Sequence, residues 1–277
     1  MEIRTVIEHL LSHGPAFPIS VAVSVIGSFL GLAFASRARR TRGPLRWQWL
    51  ALAAFSLGAI AVWSMHFIAM MGYSPDGLTV RYDPPLTVIS GLLAVAVMAV
   101  ALGLTLNHDH PLRLLTGGAI AGLGVVSMHY MGMFSMNFRG TMSHETGYVA
   151  TAIGIALAAA TVALWCATRL NGAAALTFAS PLMAVAIASM HYTAMMGVRI
   201  TPDTDWSTTQ PLPGGSATEF LLPLIVGLFV TILTASLFLM LSDDIETRRP
   251  RGTPGRAAAP PLDRSAPAAD DVWTRRR

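Results

Sequence analysis

Ser189-Met190-His191-Tyr192-Thr193-Ala194-Met195-Met196-Gly197 is the third statement of a pattern that the chain writes twice before. The earlier copies are Ser64-Met65-His66-Phe67-Ile68-Ala69-Met70-Met71-Gly72 and Ser127-Met128-His129-Tyr130-Met131-Gly132-Met133. Each reads Ser-Met-His-aromatic-x-x-Met, and the copies start 63 and then 62 residues apart. A near-constant period marks repeated supersecondary units. Each unit here carries one histidine and at least two methionines.

The setting of these copies decides the fold class. Of the 277 residues 53% are hydrophobic and only 12% charged, with a mean hydropathy of +0.55. That leaves too little polar surface to cover a water-soluble globule, so the chain reads as a polytopic, all-α membrane protein. Apolar runs occupy about Phe17–Ala35, Trp47–Met71, Pro85–Leu106, Leu112–Met136, Gly147–Thr168, Ala173–Met196 and Phe220–Leu241. Each is long enough to cross a bilayer at a rise of about 1.5 Å per residue, giving seven transmembrane helices. Gly27-x-x-x-Gly31 and Gly118-x-x-x-Gly122 are expected to let helices approach closely, and Pro181 to bend the sixth helix.

The first run could be a cleavable signal peptide ending at Ala33-Phe34-Ala35. Its lead has no positive segment, however, and Arg37, Arg39, Arg40, Arg42 and Arg46 follow at once and resist translocation. The run is therefore expected to stay as the first helix, N-terminus outside. All nineteen basic residues are arginine, fifteen in segments this topology places inside and four outside. That asymmetry supports a cytoplasmic C-terminus, and the net charge of +4 gives no reason to expect a nucleic-acid partner. The expected organisation is an external lead at 1–15, a membrane domain at 16–242 and a disordered cytoplasmic Arg/Pro/Ala-rich tail at 243–277. Arg248, Arg249 and Arg251 of that tail could rest on anionic lipid. Trp47 and Trp49 are expected at the inner interface, Tyr73, Tyr82 and Tyr148 near the outer one, and the outer loops as a cover.

In this topology helices 2, 4 and 6 run the same way and each ends in a copy of the pattern, so His66, His129 and His191 share one depth near the outer face. The expected repeat unit is a helix pair whose returning helix carries the motif. His66 and Met70, His129 and Met133, and His191 and Met195 are i, i+4 pairs, so each imidazole has a thioether on its own helix face. Met65, Met128 and Met190 lie about 100° round the helix and are possible additional ligands. If the faces converge, imidazole and thioether form a soft set that favours copper, and no carboxylate lies at this depth to favour magnesium, calcium or manganese. Ser64, Ser127 and Ser189 are candidates for helix-backbone bonds or for supporting bonds behind the metal ligands. The competing reading, interhelical hydrogen bonding, fits one intramembrane histidine better than three at equal depth.

Other candidates are weaker. Cys166 is far from the histidine layer and reads as packing, and a single cysteine excludes an internal disulfide or a CxxC site. His108 and His110 flank an inner turn, while His9, His13 and His144 are external and could capture an incoming ion. No phosphate cradle, catalytic triad or zinc-hydrolase motif occurs, so no enzyme activity is expected.

A Met-His-Tyr motif repeated three times on alternate helices of a seven-helix protein resembles the MHYT-domain family, over about residues 15–242. The first copy departs in having Phe67 for tyrosine. The resemblance implies a bacterial inner-membrane sensor that binds copper through the motif His and Met residues and detects O₂, CO or NO. It also implies coupling to cytoplasmic signalling domains. No such domain is expected from the residues after the membrane part, so the expected sensor signals through a separate cytoplasmic or membrane partner. Copper uptake, buffering or delivery is the alternative, and haem-based electron transfer a third reading.

Overall fold

The structure is a computed structural model that describes residues 15–73, 78–106, 110–203 and 211–248, with side chains left aside at 221, 224, 239 and 241–248. His9, His13, Asp76, His108, Asp205 and the tail beyond Arg248 lie outside the described residues. Seven helices are long and apolar enough to cross a membrane. They are α1 (Ala16–Arg40), α2 (Pro44–Met71), α3 (Pro84–Thr105), α4 (Pro111–Phe134), α5 (Thr146–Arg169), α6 (Ala173–Met196) and α7 (Ala217–Arg248). The chain divides into two compact units, Met1–Ser236 and Leu237–Arg277. The first holds the six helices that carry and surround the repeats, and α7 begins within it.

Local chemistry sets where the helices begin. Asp83 caps α3 by accepting from the Leu86 amide at 2.9 Å, with Pro84 and Pro85 in the first turn. His110 caps α4 by accepting from the Leu112 amide at 3.2 Å, ahead of Pro111. Proline suits these positions because the first amides of a helix have no partner inside it. Gly43, at φ 75°, makes the turn from α1 into α2, a backbone region that costs glycine little.

Consecutive helices α1 to α6 pack side by side, and α6 closes on α1. Glycines set the spacing. A Cβ on Gly27 would stand 2.5 Å from the Ala61 nitrogen, one on Gly58 2.7 Å from the Ala94 carbonyl oxygen, and one on Gly122 2.9 Å from the Leu157 Cα. Those neighbours are backbone and cannot swing aside. Gly58→Ala is therefore expected to destabilise by about 1–3 kcal/mol through overpacking, read as a lower thermal midpoint in detergent. Gly154→Ala, whose Cβ would meet nothing within 4 Å, is expected to leave the midpoint unchanged or slightly raised.

One feature of α2 has no counterpart in the other two motif helices. Residues Ser56–Ser64 are π-helical, between α-helical segments Pro44–Phe55 and Met65–Met71. The Ser64 hydroxyl donates to the Ala59 carbonyl, five residues back, at 2.8 Å. Such a stretch winds more residues per turn and re-aims the helix beyond it. The first residues so re-aimed are Met65 and His66.

The helix connections divide by end. Connections of only a few residues join α1 to α2, α3 to α4 and α5 to α6, while described parts of the connections after α2, α4 and α6 form two small sheets. Strand β1 (Arg81–Tyr82) lies between β2 (Met136–Asn137) and β5 (Gly215–Ser216), all antiparallel. Strand β3 (Gly140–His144) pairs with β4 (Val198–Pro202), with Met142 opposite Ile200. The three motif helices are thus tied together by backbone ladders just past their ends. Arg199 and Glu145 (3.1 Å) add an exposed ion pair across the second sheet.

Under this cap lies an apolar cluster of Phe67, Met70, Tyr82, Met133, Met136 and Val198. Tyr82 belongs to it rather than to an interfacial aromatic belt. Its strand is the central one, its ring is buried, and its hydroxyl donates to the Met70 carbonyl at 3.0 Å. Burial pushes the Tyr82 phenol up from its ordinary pKa, so it remains a donor. Trp49 is likewise buried, stacked on Phe34 at 5.8 Å with the Arg37 guanidinium over its ring, whereas Trp47 is 62% exposed.

A candidate metal centre of three histidines

His66, His129 and His191 each stand five residues before the last residue of their helix, at Met71, Phe134 and Met196. At about 1.5 Å per residue that is one common depth, roughly 7–8 Å inside the helix ends. The bundle turns all three inward. Each is at most 2% exposed, and their rings stand 4.9 to 5.1 Å apart between centroids at interplanar angles of 72° to 81°, a propeller of three blades.

The nitrogens that meet are all Nδ1. The separations are 3.1 Å for His66 to His191, 3.2 Å for His129 to His66 and 3.3 Å for His191 to His129. An imidazole nitrogen has one in-plane valence, which holds either a proton or a lone pair. Three such nitrogens facing one point can share a single proton, and the remaining lone pairs then confront each other at about 3 Å. Hydrogen bonding alone therefore leaves the triangle unsatisfied, whereas a cation at its centre engages all three lone pairs. Size agrees with this. The point equidistant from three nitrogens on a triangle of these sides lies about 1.9 Å from each, close to the roughly 2.0–2.1 Å of a zinc–imidazole bond. Among the described residues, this is the group of His, Cys, Asp and Glu side chains placed to share an ion.

With Nδ1 ligating a cation, the remaining ring proton would sit on Nε2. The Nε2 atoms of His66 and His129 are buried without a hydrogen-bond partner among the described residues. Metal-bound histidines usually donate that proton to a supporting acceptor, and these two lack one. His66 is held instead by shape. A Cβ on Gly132, one turn beyond His129 on α4, would overlap the His66 Nε2 and stand 3.0 Å from its Cδ2. Gly132 belongs to the site, and its place as the second x of one motif copy does not reveal this.

The structure also places the other sequence candidates. Met70 and Met133 lie in the apolar cluster beneath the cap, and Met195 packs against that cluster. Met65, Met128 and Met190 are buried within the bundle. The serines lie elsewhere. Ser127 and Ser189 are exposed, because two residues before an inward histidine is about 200° round a helix. Ser189 donates to the Val185 carbonyl at 2.7 Å. For Ser64 and Ser189 the helix-backbone role is the one realised, and neither Ser127 nor Ser189 stands behind the imidazoles.

The aromatic residues after each histidine diverge. Phe67 stacks on Trp63 at 5.7 Å and meets Tyr82 and Phe220 in the apolar cluster, where the first copy's missing hydroxyl is no loss. Tyr192 packs on Phe17 at 5.3 Å. Tyr130 packs on His144 of β3 at 5.1 Å, so the cap supplies one imidazole beside the motif layer. Burial pushes the His144 imidazole down from its ordinary pKa, which keeps it neutral. Cys166 is buried near the far end of α5, and the exposed His110 is occupied as the α4 cap.

Comparison with known proteins supports the repeat reading. The family model described as the bacterial signalling protein N-terminal repeat, MHYT, matches residues 60–118 and again 122–180. The chain carries two MHYT repeats. Each match begins six or seven residues before a motif histidine and ends early in the next motif helix, so the MHYT unit is phased differently from a helix pair. It runs from motif, through the cap and one helix, into the next. The third motif lies past the second match. An uncharacterized signaling protein of Caulobacter vibrioides is 31% identical over 72% of this chain and 25% of its own length. The bifunctional diguanylate cyclase/cyclic di-GMP phosphodiesterase MucR of Pseudomonas aeruginosa is 35% identical over 64% of this chain and 26% of its own. The cyclic di-GMP phosphodiesterase NbdA of the same organism is 35% identical over 55% of this chain and 20% of its own. The chain thus spans about a quarter of the length of the curated relatives it matches. No solved structure matches it. The family and the seven apolar helices make this MHYT protein a multi-pass protein of the bacterial inner membrane, associated with signalling.

Proposed function

We propose that this MHYT chain is a membrane sensor region whose three histidines hold one copper ion, and that a diatomic gas (O₂, CO or NO) or a change of redox state is what it detects. The observation that carries the reading is the Nδ1 triangle, 3.1 to 3.3 Å on a side and buried at one depth. Bound there, copper would supply an electron-rich or electron-poor centre able to take a small exogenous ligand. The protein's own residues do the rest. His66, His129 and His191 present lone pairs with their orientation preset, Gly132 leaves room for the His66 ring, and the cap excludes bulk water. Copper is favoured over zinc because each imidazole has a methionine four residues on along its own helix, Met70, Met133 and Met195, and thioether sulfur makes a ligand set soft.

We place the histidine end outside and the C-terminus in the cytoplasm, by the fifteen-to-four arginine asymmetry. On this reading the chain itself is not catalytic, and the signal passes to an output domain or partner of the kind its relatives' names describe. The copper-handling alternative wants ligands continuing toward the opposite face, and the shared-ion cluster of the described residues is confined to the motif layer.

The test is elemental analysis of protein purified in detergent after growth with copper and zinc both present, followed by exposure of the reduced protein to CO. Copper in excess over zinc and a metal-dependent CO infrared band are expected. A folded protein with no bound metal would sink the site, and copper without a CO response would sink the gas.

A further inference from the structure

At the end of the bundle opposite the histidines, the turn from α1 into α2 gathers positive charge around a cleft. Arg39, Thr41, Arg42, Gly43, Arg46 and Trp47 line it, enclosing about 560 Å³. Two of the guanidiniums are tethered, but only to uncharged acceptors. Arg39 donates through Nη2 to the Leu170 carbonyl and to Asn171 Oδ1 (3.0 Å). Arg46 donates through Nη2 to the Leu106 carbonyl at 3.3 Å. Leu170 and Leu106 are the C-terminal cap residues of α5 and α3, so these contacts draw on the partial negative charge of helix ends. They orient the two guanidiniums without neutralising them.

What remains is a set of unused donors. Arg39 Nε and Arg46 Nε are buried and have no hydrogen-bond partner among the described residues. Arg42 is exposed, between them in sequence, on a turn held open by Gly43. Among the described residues no carboxylate comes within ion-pair distance of Arg39, Arg42 or Arg46; Glu219 and Glu145 pair with Arg81 and Arg199 instead. Three like charges around one cleft with buried donors turned to no acceptor call for an anion that has several acceptor oxygens. Phosphate is the group whose geometry matches guanidinium donors.

The rim says which phosphate. Trp47 is 62% exposed and Leu45 45% exposed beside the cleft, and the Arg46 guanidinium lies 5.8 Å from the Trp47 ring centroid. Exposed tryptophan at the end of a membrane span marks the headgroup level of a bilayer, where basic pockets between helices recognise anionic headgroups. We propose that this cleft binds the phosphate of an anionic phospholipid headgroup, with Arg39 and Arg46 donating from its walls and Arg42 from its open side. The proposal is independent of what the histidines hold.

The experiment is native mass spectrometry of the full chain in detergent, offered phosphatidylglycerol or phosphatidylcholine, with and without inorganic phosphate. Wild type is expected to retain phosphatidylglycerol in preference to phosphatidylcholine. Arg42→Gln should weaken that retention about fivefold, the equivalent of about 1 kcal/mol per basic residue at an anionic surface. Its thermal midpoint should not move, because among the described residues Arg42 makes no hydrogen bond or ion pair that its loss would break. The triple variant Arg39→Gln, Arg42→Gln, Arg46→Gln should lose the preference altogether. Arg113→Gln, an exposed arginine at the start of α4 outside the cleft, should keep it. Equal retention of the two lipids, wild-type retention by the triple variant, or the same loss in Arg113→Gln overturns the proposal. So does binding of inorganic phosphate without retention of phosphatidylglycerol.

Discussion

Copper retained by the purified protein is expected to fall to background when His66, His129 and His191 are changed together to alanine, with the chain still folded. The first half rests on the triangle, since no other described group of His, Cys, Asp or Glu is placed to share an ion. The second rests on the state of the imidazoles without a cation. Their lone pairs confront each other, and two Nε2 atoms are buried without a partner among the described residues, so replacing all three removes unsatisfied polar groups along with packing volume. The measurement is metal content beside thermal melting, with and without a strong chelator. A ligand that binds only the folded state stabilises it by about 2.7 kcal/mol when present at a hundred times its dissociation constant. Chelation should therefore lower the wild-type midpoint by several degrees and leave the triple variant where it was. Equal metal in both proteins would refute the site. Replacing Met70, Met133 and Met195 together then asks a narrower question, whether sulfur ligates or only packs.

Gly132→Ala is expected to cost more in metal binding than in stability. Its new Cβ would collide with the His66 Nε2, and that ring has little room to retreat, with the rings of His129 and His191 centred 4.9 and 5.0 Å away. Relief comes from moving the His66 Nδ1 out of the triangle, so copper affinity should drop roughly 10–100-fold, the range for losing a group that orients a metal-ligating histidine. The fold feels two opposed terms. Overpacking costs about 1–3 kcal/mol and alanine's helix propensity returns about 1 kcal/mol, leaving a small shift in midpoint. Gly154→Ala, in open space on α5, should leave copper affinity unchanged and the midpoint unchanged or slightly raised. A Gly132→Ala protein that binds copper as wild type does would show that Gly132 does not hold the His66 ring in place.

Much of this molecule is legible in one dimension. Membrane class and the seven helices follow from apolar run lengths and from the absence of charge within them. The common depth of the histidines follows from a 62- to 63-residue period laid on helices of nearly equal length. Tyr82 and Trp49 show where such reading stops. A tyrosine or tryptophan beside a membrane span suits the interface by composition, and both are buried instead, one by a strand ladder between distant connections and one by α1.

Which way a residue faces is the harder question. In lipid both sides of a helix are apolar, so the hydrophobic pattern that orients a helix in water carries little information here. The chain order alone therefore established a layer of three histidines near one face of a seven-helix membrane protein. Packing decided that they face one another, that Nδ1 is the nitrogen that converges, and that Gly132 on one motif helix makes room for His66 on another. It also decided that the π-helical turn of α2 aims His66, and that arginines of one short turn close round a cleft. The reason is the same in each case: rotation of a helix about its axis is set by contacts between segments distant in the chain, 62 to 125 residues apart for the three histidines, and no local pattern of residues records them.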